Sequence, residues 1–253
     1  MVASADHILA TMVYPLDQVL VVMPAFNESE VISQVISEVR AILPGVSVLV
    51  VSDGSTDGTV EVARAAGAQV LELPFNLGVG GAMRLGFRYA VENGFPVAVQ
   101  LDSDGQHNPA DVPALVAELE RFDVAIGARF AGEGEYTVRG PRRWAMKFLS
   151  GTLSRALATR LTDTTSGFKA HGPRAVALFA QDFPAEYLGD TIESLVTGHR
   201  GGLTFTQVGV AMRERAGGTP SHNQLKSAVY LGRAFFALVI AFLRPRRWTT
   251  AAA

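Results

Sequence analysis

Apolar residues in the first half of the chain come in two alternating textures. Short, β-branched, nearly continuous runs occur at Gln18–Pro24 (QVLVVMP), Val46–Gly54 (VSVLVVSDG), Ala68–Leu73 (AQVLEL), Pro96–Asp102 (PVAVQLD) and Asp123–Arg129 (DVAIGAR). Between them, Ser29–Leu43, the stretch opened by Ser55–Gly58, and Val79–Glu92 repeat apolar residues at helical spacing, and Asn108-Pro109 opens another helix. Ser and Thr are natural caps at such starts, and Pro suits a first turn. A strand apolar at every position is covered on both faces, and strands alternating with helices form parallel sheets. The pattern predicts a doubly wound, mostly parallel α/β sheet with helices on both faces.

After Arg129 the rhythm changes. Phe130–Gly140 is glycine-rich and charged, as a long functional loop is. A helix is expected over Arg142–Ala158, followed by a polar segment, Thr162–Pro173 (TDTTSGFKAHGP). A further helix (Tyr187–His199), a strand (Leu203–Val210) and an amphipathic C-terminal helix complete the chain. The division this suggests is an extension over 1–17, a catalytic domain over 18–215 and a C-terminal segment over 216–253.

In open α/β sheets, ligands sit beyond the carboxyl ends of the strands. Four consecutive exits here are polar: Pro24–Glu28 (PAFNE), Ser52–Gly58 (SDGSTDG), Pro74–Ala82 (PFNLGVGGA) and Asp102–His107 (DSDGQH). One such exit is an ordinary solvated turn. Four on one rim suit a polar ligand with several recognisable parts. Asp102 and Asp104 stand two apart, so in an extended chain their carboxylates point the same way and repel unless a cation joins them. Hard oxygen donors suit Mg²⁺ or Mn²⁺ shared with a substrate diphosphate. A helix-capping turn would use one aspartate and leave the other unexplained. A calcium EF-hand fails, because Pro113 stands where the closing glutamate belongs.

The glycine loop Asn76–Gly86 allows two readings, a phosphate cradle at a helix N-terminus or close packing of helix on sheet. It is not a dinucleotide fingerprint, since Met83 occupies the third glycine position, and no Walker lysine follows. Asp53, at the second strand end, could accept hydrogen bonds from a base or ribose. Ser55 and Asp57 are expected to cap the next helix. His171, His199 and His222 lack ligand spacing and read as ordinary polar residues, while His107 gains interest only from its neighbours. No G-x-S-x-G elbow supports a serine hydrolase.

Composition narrows this further. The 253 residues are 48% hydrophobic with a formal net charge of −2 and no cysteine. That profile excludes disulfides and thiolate metal sites and argues against nucleic acid as a partner. The N-terminus lacks the basic-then-apolar order of a signal peptide. The most membrane-like stretch, Ala234–Leu243, would span only about 15 Å of a hydrocarbon core of about 30 Å.

Taken in order, VVMPAFNE, VSDGSTDGT, NLGVGGAMRLGF, LDSDGQHNP and DTTSGFKA resemble the inverting family 2 glycosyltransferases of the glycosyltransferase-A fold, and within them the dolichol- or polyprenol-phosphate sugar synthases. The resemblance runs from Val19 to Ala170, with weaker similarity to about Arg215. It implies that Pro24, Ala25, Glu28, Asp53, Gly78, Asp102 and Ser103 hold a nucleotide-sugar, and that Asp102, Asp104 and Gln106 hold the metal and diphosphate. It further implies that Arg129, Asp163, Ser166 and Lys169 belong to the acceptor side. Asp104, Arg129 and Lys169 are the residues expected to act in the transfer itself. The membrane helices that often follow in related enzymes have no counterpart here, nor is there a clear Q-x-x-R-W helix.

A sugar hydroxyl must lose a proton to attack, whereas a lipid phosphate is already anionic and needs positioning. Arg129, Arg139, Arg142, Arg143, Lys147 and Lys169 could supply that positioning. Arg142 and Arg143 also read as a solvated helix start, although cations sit poorly at that end of a helix dipole. The C-terminal stretch, flanked by Lys226, Arg233 and Arg244–Trp248 (RPRRW), has the composition of an interfacial anchor. Core packing, homo-oligomer formation or docking on a small membrane protein would use the same helix. The expected function is therefore sugar transfer from a UDP- or GDP-sugar to polyprenyl phosphate on the cytoplasmic membrane face. Two rivals remain: transfer to a hydroxyl with Asp190 or Glu193 as base, and a binding module without turnover.

Overall fold

The structure, a computed structural model, describes residues 13–128, 166–184 and 189–213 together with positions 151, 154, 161 and 163. Seven strands form one sheet: β1 (Val19–Ala25), β2 (Ser47–Ser52), β3 (Gln69–Glu72), β4 (Val97–Gln100), β5 (Val124–Ala128), β6 (Lys169–His171) and β7 (Phe205–Gly209). Their spatial order is β3-β2-β1-β4-β6-β5-β7. Every pair is parallel except those made by β6, which runs antiparallel to β4 and β5. The mostly parallel sheet expected from the sequence is what forms.

All residues of β1, β4 and β5 are buried, which is why those runs are apolar throughout. On one face Val19, Val21 and Met23 of β1 meet helices α1 (Ile32–Ile42), α2 (Thr59–Ala65) and α4 (Val112–Ala117). The alternate residues Leu20 and Val22 point to the other face, against α3 (Val79–Glu92), α5 (Pro173–Gln181) and α6 (Ser194–Arg200). Helix α1 shows how the pattern works, burying Ile32, Val35, Ile36 and Val39 along one stripe.

The sequence reading misses two elements. Lys169-Ala170-His171 reads as polar loop, yet forms the buried strand β6, with Lys169 opposite both Gln100 and Ile126. Its polar side chains are accommodated inside: His171 Nδ1 lies 3.2 Å from the Ala98 carbonyl, and its ring meets Phe87 edge-on. Helix α5 follows at once, with Pro173 in its first turn and Ala175, Val176 and Phe179 buried. The helix expected over Tyr187–His199 is a π-turn, Gly189–Glu193, running into α6. The expected loop Phe130–Gly140, the expected helix Arg142–Ala158 (save positions 151 and 154), the N-terminal extension up to residue 12 and the C-terminal helix lie outside the described residues.

Strand order reverses beside β1: β2 and β3 extend one way and β4 lies on the other side. That switch opens a crevice at the carboxyl ends of β1 and β4. Since β6 is antiparallel, Lys169 and the residues just before it reach the same edge.

Candidate active site at the carboxyl edge of the sheet

The first two exits are stitched together by side-chain hydrogen bonds to backbone. The Asn27 N–H donates to Ser55 Oγ at 3.1 Å, and Asn27 Oδ1 accepts the Thr56 N–H at 2.8 Å. Asn27 itself has φ +55°, a left-handed turn that Asn tolerates. Glu28 N–H donates to Thr59 Oγ1 at 2.9 Å, and Ser29 N–H to Asp57 Oδ2 at 3.2 Å. Asp57 also accepts from the Thr59 amide and hydroxyl, so it secures the start of α2 as expected. Burial opposes its charge, but the hydrogen bonds from Thr59 and Ser29 outweigh it and bring the carboxyl from 3.8 to about 2. Ser55 serves the neighbouring exit instead of capping α2.

Asp53 is buried, and both carboxylate oxygens face the third exit. Oδ1 accepts the Leu77 N–H at 2.7 Å and Oδ2 the Gly78 N–H at 2.8 Å. Asp53 thus occupies the Leu77 and Gly78 amides, and the glycines of the following helix also serve close packing on the sheet. Gly78 has φ +79°, and a Cβ on Gly86 would come within 2.5 Å of Val22 Cγ1. Gly54 lets the second exit approach the third, since a Cβ there would meet the Asn76 amide nitrogen at 2.8 Å. Asp53 therefore shapes the rim from below.

The fourth exit differs in detail from its expected form. β4 ends at Gln100, so Asp102 lies beyond the strand and Ser103–Asp104 form a turn rather than extended chain. Gly105 takes φ +78°, and Asp104 Oδ1 accepts the Gln106 N–H at 3.0 Å. Ser103 Oγ donates to the Pro24 carbonyl at 2.9 Å and ties this turn to the end of β1 across the crevice. Asp102 accepts close approach from β6's lead-in: a Cβ on Gly167 would sit 3.3 and 3.5 Å from its two carboxylate oxygens. Arg213 braces the turn from outside, its N–H donating to the Gln106 carbonyl at 3.0 Å and its guanidinium to Asn108 and Glu38. Nearby, burial pushes the Asp111 carboxyl up, with Arg213 opposing.

The residues expected on the acceptor side are scattered in depth. Lys169 is 2% exposed, on the α3–α6 face with Gln100 beside it, and its Nζ lies 3.5 Å from Ser194 Oγ. Its ammonium lies beneath the rim and does not face solvent. Ser166 is buried and accepts the Phe168 N–H at 3.2 Å, and Asp163 is fully buried with its carbonyl accepting from Gln207 Nε2 at 2.7 Å. Glu193 is buried in the π-turn. Arg129, Arg139, Arg142, Arg143, Lys147 and the side chain of Asp190 fall outside the described residues.

The family model described as glycosyl transferase family 2 matches residues 20–176, well over half the chain. The chain belongs to this family. An undecaprenyl-phosphate mannosyltransferase of Micrococcus luteus is 35% identical over 74% of this glycosyltransferase and 76% of its own length. A dolichyl-phosphate hexose transferase of Haloferax volcanii is 29% identical over 81% and 87% respectively. Among solved structures, the Mycobacterium tuberculosis glucosyl-3-phosphoglycerate synthase in complex with Mn²⁺, uridine-diphosphate and phosphoglyceric acid superposes with a TM-score of 0.70. It is 22% identical, covering 97% of this chain and 84% of the other. That likeness establishes the glycosyltransferase-A fold.

The rim of the glycosyltransferase fits a divalent cation by its chemistry. No group of three His, Cys, Asp or Glu forms a closed metal cage among the described residues. Asp102, Asp104 and Gln106 instead offer a sparse, all-oxygen donor set on one turn, suited to a small hard ion that keeps sites for diphosphate and water. Gly167, with no side chain, lets the chain pass close to the Asp102 carboxylate without a Cβ crowding it. Sequence reasoning missed Gly167, Gln100 and Arg213: each matters through a neighbour remote in the chain, and nothing in the local pattern marks it.

Proposed function

We propose that this glycosyltransferase is a metal-dependent, inverting enzyme that moves a sugar from a UDP- or GDP-sugar to polyprenyl phosphate at the cytoplasmic face of the membrane. The observation that carries the reading is the 35% identity to an undecaprenyl-phosphate mannosyltransferase over three quarters of both chains. The all-oxygen turn at the crevice supports the donor half.

A lipid phosphate oxygen attacks the anomeric carbon from the face opposite the diphosphate. A new C–O bond forms as the anomeric C–O bond to the nucleoside diphosphate breaks, and both electrons leave with the diphosphate. The nucleophile is anionic, so no side chain has to take a proton. Pro24, Ala25, Glu28 and Ser103 line the nucleoside end of the crevice, which Asp53 and Gly78 hold in shape. Asp102, Asp104 and Gln106 would hold Mg²⁺ or Mn²⁺, which when bound neutralises charge growing on the diphosphate. Arg129, Arg142, Arg143 and Lys147 orient the acceptor phosphate, and the buried Lys169, Asp163 and Ser166 support that side of the site.

No helix among the described residues is long and apolar enough to cross a membrane. Access to a lipid acceptor is proposed through peripheral association, directly or on a small membrane protein.

Incubation with radiolabelled UDP- and GDP-sugars, Mg²⁺ or Mn²⁺ and polyprenyl phosphate should move label into organic extract. Asp104→Ala should lower that transfer by roughly a hundredfold or more in a protein that still folds and unfolds cooperatively. Label found only in water-soluble glycan would favour a hydroxyl acceptor. Binding of sugar nucleotide with no turnover would favour a sensor, and wild-type rates from the variant would end the metal assignment.

A further inference from the structure

The turn that carries Asp102 also contains a buried imidazole with no part in the mechanism above. His107 is 2% exposed, and its ring stacks on Phe168 at 4.8 Å between centroids and 14° between planes. Its Nδ1 receives the Asp102 backbone N–H at 3.1 Å. A ring nitrogen that accepts carries no proton, so in this geometry the proton sits on Nε2. Nε2 in turn lies 3.6 Å from Asp102 Oδ2. One ring thus addresses one residue twice, at its backbone and at its carboxylate.

A histidine that only filled the core would need its polar atoms satisfied by whatever lay nearest. Here both nitrogens turn to the single aspartate at the crevice, whose side chain is 38% exposed. A half-exposed carboxylate is otherwise free to choose among rotamers. His107 limits it on one side, and the approach of Gly167 leaves room for it on the other.

We propose that His107 is a positioning residue: by holding the Asp102 amide at Nδ1 and setting Nε2 3.6 Å from the Asp102 carboxylate, it limits the orientations in which that carboxylate meets the divalent cation. The inference rests on the reading of Asp102 and Asp104 as metal ligands. Groups that orient a ligand in this way commonly change metal affinity by about 10–100-fold when removed.

Three substitutions separate the contacts. His107→Phe keeps the stack on Phe168 and loses both nitrogens. His107→Asn keeps an acceptor near Nδ1 and lacks the distal donor, whereas His107→Gln places a donor near Nε2. Mn²⁺ affinity in the presence of UDP or GDP is read by electron paramagnetic resonance, beside melting temperature, and the ring tautomer of the metal-free protein by ¹⁵N NMR. The expected results are an Nε2–H tautomer, Mn²⁺ affinity about 10–100-fold weaker in His107→Phe and His107→Asn, and partial recovery in His107→Gln.

Wild-type Mn²⁺ affinity in a folded His107→Phe, with binding lost in Asp104→Ala, would overturn the inference and leave the metal reading intact. Absence of Mn²⁺ binding in the wild type would overturn both. An Nδ1–H tautomer would overturn the inference on its own. If His107→Phe does not fold, Asn and Gln variants of equal affinity overturn it, and a weaker Asn variant supports it.

Discussion

At the scale of single residues, the interior of this glycosyltransferase holds charge and polarity in places that decide its response to acid. His171 is buried against Phe87 and Phe179, and burial first, then the charge of Lys169, bring its pKa from 6.5 down to about 3; the contact to the Ala98 carbonyl pulls the other way. Between those values the unfolded chain binds a proton that the folded chain does not. His171 thus contributes stability that is complete above pH 6.5 and falls as pH drops toward 3. From pH 6.5 to 5 the loss from this residue should be about 2 kcal/mol. His171→Asn keeps a donor for the Ala98 carbonyl and does not titrate. Urea unfolding at the two pH values should show its stability falling by about 2 kcal/mol less than the wild type's. Equal losses would show that His171 is not the group responsible. Residue letters announced that histidine, but not its surroundings. Asp53 teaches the same lesson, since nothing in SDG tells whether its carboxylate faces a ligand or the amides of Leu77 and Gly78.

At the scale of elements, β1 to β5 and α1 to α3 were legible because each repeats one period over enough residues to declare it. β6 was not: three residues are too few for a period, and two of them are Lys169 and His171, whose polar atoms meet groups remote in the chain, Ser194 of α6 and the Ala98 carbonyl of β4. The Asp102–Asp104 turn was misjudged as extended because its shape depends on the positive φ of Gly105 and on an Asp104 hydrogen bond to its own backbone. Packing of α3 on the sheet gives a sharper test. Ala in place of Gly within a helix ordinarily gains about 1 kcal/mol. At Gly86 the added methyl would lie 2.5 Å from Val22 Cγ1, with both residues buried. Overpacking of that kind costs about 1–3 kcal/mol, so Gly86→Ala should be net destabilising by up to about 2 kcal/mol. In a Val22→Ala background the same change should become neutral or stabilising, because the obstructing methyls are gone. Denaturant unfolding of the wild type, the two single variants and the double variant measures the coupling directly. A Gly86→Ala cost unchanged by Val22→Ala would mean that something other than this contact sets the distance between α3 and β1.

At the scale of the whole molecule, the donor crevice and the departure of the C-terminal segment are neighbours. Arg213 is the last described residue, and it is fastened to the Gln106 carbonyl, to Asn108 and to Glu38. The segment beyond it therefore sets out from the back of the turn proposed to hold the metal. Between Gly217 and Ala253 the sequence carries Lys226, Arg233, Arg244, Arg246 and Arg247 and no acidic residue, around the apolar stretch Ala234–Leu243. Each basic side chain close to an anionic bilayer surface contributes about 1 kcal/mol of attraction, so Arg244, Arg246 and Arg247 together should supply about 3 kcal/mol. Replacing the three with Gln should weaken flotation with anionic vesicles about a hundredfold, and raising the salt should weaken the wild type in the same direction. Removing residues 225–253 should abolish flotation and leave the melting temperature and nucleotide binding of the catalytic domain in place. If the truncated chain loses its melting transition, the segment is part of the core. If it keeps flotation, the membrane contact lies elsewhere on the molecule. Loss of flotation with an intact domain would instead assign membrane contact to residues 225–253 and leave donor binding to the catalytic domain, as a lipid-borne acceptor phosphate requires.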